Sequence, residues 1–177
     1  PVTTPATWTV DGREVGEHAS LDSSFFSKGQ QVRCTLTPTD GEDVGAPVTS
    51  AAVTIANTAP TLTLSIAADR VGTEDDIVAS VETGDIDEDT VSTEISWSRN
   101  GSPITLDSLT VPASMTAKGD IWEVTVTPTD GEDEGISQTL AARVINTAPE
   151  ALGATLTPSE VTEASEVRCL SQGWRDV

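Results

Sequence analysis

The chain has 177 residues, with 29 acidic against 9 basic side chains and a formal net charge of −20. That balance repels nucleic acid and anionic membrane surfaces and makes divalent cations the natural partners. No apolar run approaches the roughly 20 residues that span a bilayer, so no membrane insertion is expected within this segment, and with no signal peptide in view any secretion signal is expected outside it. Aromatic residues are scarce, with four Trp, two Phe and no Tyr. The abundance of Thr, Val, Ala and Ser favours strands over helices.

The sequence repeats itself. Thr37-Pro-Thr-Asp-Gly-Glu-Asp43 recurs as Thr127 to Asp133, Trp8-Thr-Val-Asp-Gly12 corresponds to Trp97-Ser-Arg-Asn-Gly101, Lys28-Gly29 to Lys118-Gly119, and Asn57-Thr-Ala-Pro60 to Asn146-Thr-Ala-Pro149. The spacings lie near 90 residues, the size of one small domain, so the chain reads as a tandem array. The expected division is 1–59 (the later strands of a first domain), 60–149 (a complete domain) and 150–177 (the first strands of a third).

Within the complete repeat, Thr61 to Ile66 alternates with period two, as a half-buried strand does. Asp76 to Val81 is a second predicted strand, followed by the acidic stretch Asp85 to Asp89. Thr93 to Arg99 is a third, carrying Trp97 and ending in Asn100-Gly101, a strong signal for a type I′ hairpin. Asp11-Gly12 fills that place in the first repeat. A return strand at Ser102 to Leu106, a weaker one at Leu109 to Met115, a clear one at Asp120 to Thr127 and a last one at Ser137 to Ile145 complete the set. Short strands at turn-punctuated intervals without helical periodicity predict an all-β fold of tandem immunoglobulin-like β-sandwiches. The strands take the order A, B, C, C′, E, F, G, and Trp8 and Trp97 are expected core residues on strand C.

The ordered motifs D-x-D-x-D (Asp85 to Asp89), W-x-x-[ND]-G, K-G-D (Lys118 to Asp120), V-x-V-T-P-x-D-G (Val124 to Gly131) and V-I-N-T-A-P (Val144 to Pro149) resemble bacterial Ig-like or cadherin-like repeats of secreted surface proteins. The resemblance covers the whole chain. It implies an extracellular or cell-surface adhesin, stalk or fibre, often stiffened by calcium. Glu88 departs from the pattern, standing where these acidic loops commonly carry glycine.

In such a sandwich the B–C and F–G loops share the pole where the chain enters. Asp85, Asp87, Glu88 and Asp89 are therefore expected opposite Asp130, Glu132 and Asp133, with Asn57 of the linker passing beside them. Ca²⁺ takes six to eight oxygen ligands from flexible acidic loops, which makes this set a candidate metal site. The competing reading is that these are solvated turn residues selected by turn chemistry.

Cys34 falls on strand F of the first repeat, and Cys169, aligned with Ala79, on strand B of the third. Those are the two strands that the inter-sheet disulfide of this fold bridges. Within one extended chain the two cysteines are expected a domain apart, too far for a bond that needs Cα atoms within about 7 Å. Each is instead expected to pair with its counterpart in an adjoining unit. That unit is either further repeats of one long polypeptide or a separate copy meeting it end to end.

No signature of catalysis is present: no Ser-His-Asp ordering, no zinc-type Cys/His cluster and no phosphate loop, so no enzymatic activity is expected. His18 reads as a surface side chain. The expected role is structural, a segment of a filament or stalk continued end to end with copies of itself. The alternatives are an adhesin repeat binding a protein or glycan, for which Trp174, Phe25 and Phe26 are the exposed aromatic candidates, or a spacer module of a larger secreted protein.

Overall fold

The computed structural model describes residues 3–176. They are all-β, with a single 3-10 turn at Ala113–Met115 and no α-helix among the described residues. By compactness the chain divides into two units. One comprises the chain up to Thr61 with the loop segments Thr83–Ser92 and Pro128–Ile136, and the other comprises Leu62–Glu82, Thr93–Thr127 and Ser137 onward.

The first unit contains β1 (Ala6–Val10), β2 (Arg13–Glu17), β3 (Gln31–Leu36), β4 (Val48–Thr49) and β5 (Val53–Thr54). They make one antiparallel sheet in the order β2-β1-β3-β4, with β5 also on β3. The β1–β2 turn places Asp11 at φ 50° and Gly12 at φ 77°, the left-handed pair a type I′ turn requires. Val10 and Val32 are the buried apolar side chains of residues 3–59. Trp8, Leu21, Phe26, Cys34 and Ile55 line an open apolar groove of about 370 Å³ beside Val32. Among the described residues no strand forms between Glu17 and Gln31.

The following strands are β6 (Thr61–Ile66), β7 (Arg70–Val71), β8 (Ile77–Gly84), β9 (Ser92–Arg99), β10 (Ser102–Ile104), β11 (Thr110–Val111), β12 (Ile121–Thr129) and β13 (Gln138–Val144). One sheet runs β10-β9-β12-β13-β7 and the other β11-β8-β6. The two enclose a common core of Leu62, Leu64, Val71, Ile77, Ala79, Trp97, Val111, Trp122, Val124, Val126, Ala142 and Val144. Alternation explains which residues enter it: β12 buries Trp122, Val124 and Val126 and turns Ile121 and Glu123 outward. Each full burial of such a side chain contributes roughly 1.5–3 kcal/mol.

The two indoles meet edge to face, with centroids 6.3 Å apart and planes at 74°. Trp97 Nε1 donates to the Ser108 carbonyl at 2.8 Å, and Trp8 Nε1 donates to the His18 carbonyl at 3.0 Å. The same repeat position thus makes the same indole hydrogen bond in both, but Trp97 is 2% exposed in the core whereas Trp8 is only half-buried. His18 is half-buried rather than a free surface side chain, its ring 4.8 Å from that of Phe25.

Two differences from the expected strands have physical causes. Strand β7 was not expected; two residues are too short to show a period, and its partner is distant in sequence. It pairs in parallel with β13 at Arg70↔Arg143 and Val71↔Val144. The expected strand from Leu109 to Met115 shrinks to β11, because Pro112 lacks the N–H a ladder needs and the chain turns through Ala113–Met115.

The remaining strands are β14 (Glu150–Ala151), β15 (Ala154–Thr157), β16 (Arg168–Ser171) and β17 (Trp174–Arg175). β14 pairs with β17, and β15 with β16 through Leu156↔Cys169 and Thr155↔Leu170. All four are solvent-exposed, with Leu152, Leu156, Leu170 and Trp174 46–68% open together with Val161 and Val167.

Candidate metal centre

The doubled Thr-Pro-Thr-Asp-Gly-Glu-Asp builds the same turn twice. Asp130 Oδ1 accepts from the amides of Glu132 at 2.8 Å and Asp133 at 2.7 Å, as Asp40 Oδ1 accepts from Glu42 at 3.0 Å and Asp43 at 2.9 Å. Thr129 Oγ1 donates to the Asp133 carbonyl at 3.0 Å, and Thr39 Oγ1 to that of Asp43 at 2.8 Å. These side-chain caps close a tight loop with Gly131 at φ 92° and Gly41 at φ 98°. One oxygen of Asp130 is thereby committed to turn chemistry, and the other accepts from Asn57.

Beyond the second turn, Gly135 lies against the linker. A Cβ there would overlap the Pro60 carbonyl oxygen, so only glycine allows the loop to approach so closely. Asn57, three residues before Pro60, spans the turn between β12 and β13: its Nδ2 donates to Asp130 Oδ2 and to Asp133 Oδ2, both at 2.8 Å. Asn57 first, then the backbone N–H groups of the turn, hold the Asp130 carboxyl down to about 2.

The segment between β8 and β9 organises around Asp85. Its Oδ1 accepts from the Asp87 amide at 2.7 Å and, more distantly, from Asp89 at 3.4 Å. Asp87 Oδ2 accepts from the Thr58 amide at 2.7 Å. One carboxylate oxygen each from Asp85, Asp87 and Asp89 can be chosen so that all lie within 4.8 Å of one another. Glu88 is not in that group. It sits at φ 62°, the left-handed conformation for which glycine is suited.

Lys28, from the turn before β3, completes the arrangement. Its ammonium lies 2.7 Å from Asp89 Oδ2 and 2.7 Å from Glu132 Oε1. The hydrogen bond to Asp89 and then that to Glu132 raise its pKa well above the usual lysine range. Of the eight residues singled out from the sequence, Asp85, Asp87 and Asp89 converge, Asn57 joins Asp130 to Asp133, and Lys28 joins Asp89 to Glu132, whereas Glu88 is not among the converging carboxylates. Lys28 and the Thr58 amide were missed. The recurrence of Lys28-Gly29 as Lys118-Gly119 was visible, but nothing local says which acids the ammonium meets.

Two polar atoms here are buried without a hydrogen-bond partner: Asp85 Oδ2 and Asn57 Oδ1. Both are oxygens, and such atoms are rarely left orphaned in folded proteins. Oxygen-only donors crowded with anionic charge suit a hard cation such as Ca²⁺. The equivalent Asn146 of the second linker behaves differently, donating to its neighbouring Thr147 carbonyl at 2.7 Å.

Cys34 and Cys169 are both free thiols, half-buried and exposed respectively. No known protein family matches the chain, and no curated protein matches it.

Proposed function

We propose that the chain is a structural segment of an extracellular filament or stalk, built from tandem Ig-like domains of about 90 residues divided at 1–59, 60–149 and 150–177. Ca²⁺ held by the acidic pole loops sets the connection between successive domains. The pairing of β10-β9-β12-β13-β7 against β11-β8-β6 is the order C′-C-F-G-A′ against E-B-A, and it supports the Ig-like reading. The calcium reading rests on the two orphaned oxygens, Asp85 Oδ2 and Asn57 Oδ1, beside three converging aspartates. Asp85, Asp87 and Asp89 supply the anionic ligands, Asn57 a neutral one, and Asp130 and Asp133 the facing carboxylates that Asn57 now engages. Lys28 offsets one negative charge of the set, while a divalent ion offsets two.

Calcium titration followed by thermal denaturation tests this. Binding at a hundredfold excess over Kd raises the melting temperature by roughly 5–10 °C for a chain of this size. Chelator reverses the rise, and the Asp85→Asn/Asp87→Asn double variant lacks it. A melting curve that does not respond to millimolar calcium overturns the metal reading.

A further inference from the structure

The two sheets of the complete repeat end in four edge strands, β10 and β7 in one and β11 and β6 in the other. A bare edge offers unpaired N–H and C=O groups to any other strand, and proteins blunt it with brevity, charge or proline. Three of the four edges carry such a defence. β10 has Pro103 within its three residues, β11 is two residues long and runs into Pro112, and β7 is two residues long and carries Arg70. β6 has none of them. Thr61–Ile66 is six residues long with no proline inside it. No charged side chain occurs from Val44 to Ala68, in a chain whose net charge is −20. An uncharged, proline-free run of this length is the composition of segments that pair with their own copies.

One side chain meets this edge instead. Alternation along β13 puts Gln138 on the inward face with Leu140, Ala142 and Val144, paired with the fully buried Val126. From there its amide reaches β6. Gln138 Nε2 donates to the Leu62 carbonyl at 2.6 Å, and Gln138 Oε1 accepts from the Leu64 amide at 3.0 Å. These two backbone groups flank Thr63. A residue of a neighbouring parallel strand makes the same pair of bonds, its N–H to the carbonyl before and its C=O to the amide after. The Gln138 amide therefore imitates one residue of a parallel strand. Leu62 and Leu64 are 8% and 7% exposed, so β6 cannot roll its edge out of reach without uncovering core.

We infer that Gln138 is an edge guard: its amide occupies a strand-addition site on β6 and keeps that strand from pairing with β6 of a second copy. This goes beyond the reading of the chain as a structural segment, and it draws on none of the metal-site residues. In a repetitive sequence, strands of one kind lie close to one another, and misassembly between repeats is a characteristic failure of such proteins. The contact prevented is β6 against β6 about a two-fold axis, since one edge meets its own copy. Main-chain hydrogen bonds hold it, as in other strand additions. The uncharged segment lets two acidic chains approach there, and salt at about 0.15 M screens the remaining charges beyond about 8 Å.

The test replaces Gln138 by valine, the residue that the first repeat carries as Val48. The full chain is used with Cys34→Ser, Cys169→Ser and Thr63→Cys, the last labelled with pyrene. Thr63 is exposed on β6, so excimer emission reports contact between two β6 strands wherever else the chains touch. In about 0.15 M salt, Gln138→Val should raise excimer emission at least about fivefold over the labelled parent. In dilute protein, its Leu64 amide should exchange with solvent at least about tenfold faster. Gln138→Asn, one methylene too short to reach both groups, should behave like valine and serves if valine disturbs the core. Gln138→Lys restores a defence by charge and should hold excimer emission at the parent level. Near-ultraviolet circular dichroism of the Trp97–Trp122 pair verifies that each variant remains folded. No excimer rise in the folded valine or asparagine variant, an equal rise in Gln138→Lys, or unchanged Leu64 exchange overturns the inference. None of these readouts uses calcium, so failure of the guard and failure of the metal reading are distinguishable.

Discussion

Replacing Asp120 by alanine should unfold the second unit more readily than loss of any exposed acid on this strongly acidic chain. Asp120 is only 6% exposed. It accepts from the Ala117 amide at 2.8 Å and from Asn100 Nδ2 at 2.9 Å, and pairs with Arg99 Nη2 at 2.8 Å. Burial alone would push its carboxyl up, but Asn100, the Ala117 amide and Arg99 together hold it below the ordinary range. The alanine leaves two part-buried donors unpaired at about 1–1.5 kcal/mol each, within the known cost of an orphaned polar group. The Arg99 side chain is 37% exposed and recovers water, so its share is discounted to under about 1 kcal/mol. The sum is about 3 kcal/mol. Urea denaturation followed by tryptophan emission measures it, since Trp97 and Trp122 lie in this core. A loss under about 1 kcal/mol would falsify the claim that the carboxylate is a structural hub. The Arg99→Val/Asp120→Ala double variant should cost less than the sum of the singles, because each partner's removal already includes the pair's coupling. The first repeat shows a different solution: Val10, Gln30 and Val32 stand where Arg99, Asp120 and Trp122 do, so the cation, the acid and the ring it covers at 5.8 Å change as a set.

Ile77, fully buried, should cost about 2–5 kcal/mol on truncation to alanine, read in the same denaturation assay. Glu88→Gly should keep or raise stability by up to about 1 kcal/mol, since a left-handed non-glycine residue costs roughly 1–2 kcal/mol; a lower melting temperature than wild type would contradict the strained-backbone account. For acid, the Asp130 carboxyl lies near 2 when folded, below the unfolded value of about 3.9. Its contribution is therefore complete above about pH 5 and is lost as pH falls through 2. Carbon-detected NMR should find Asp130 still ionised at pH 3, and Asn57→Ala should move its titration upward. The Lys28 contacts run the other way: present through neutral pH, they are lost only as pH rises above the ordinary lysine range of about 10.4.

What could be read beforehand was set by locality. Thr61 to Ile66 alternates, and β6 occupies those residues. Asn100-Gly101 demanded two left-handed residues, and they lie at φ 53° and 79°. By contrast β7, Lys28 and the Asp120 hub depend on partners far along the chain, and no period or turn residue announces them. Pro128 illustrates the same limit at a strand end. A proline suggests a stop, yet β12 continues through it to Thr129, and Pro128 is buried. The acid loops were legible as a cluster, but the division of each carboxylate between turn closure and the shared centre was not.

The parallel pairing of β7 with β13 bears on how the complete repeat withstands load. The two strands are bound through Arg143 N to the Asp69 carbonyl at 2.8 Å and Ile145 N to the Val71 carbonyl at 2.7 Å. One strand comes next after β6, the first strand of the repeat, and the other precedes the exit of the chain. Because they run in the same direction, tension applied at entry and exit pulls them along each other's length. The bonds between them are then strained at the same moment and fail together, whereas an antiparallel pair loaded at its open end would come apart one bond at a time. A patch of two residues can in this way act as a shear lock for the whole repeat.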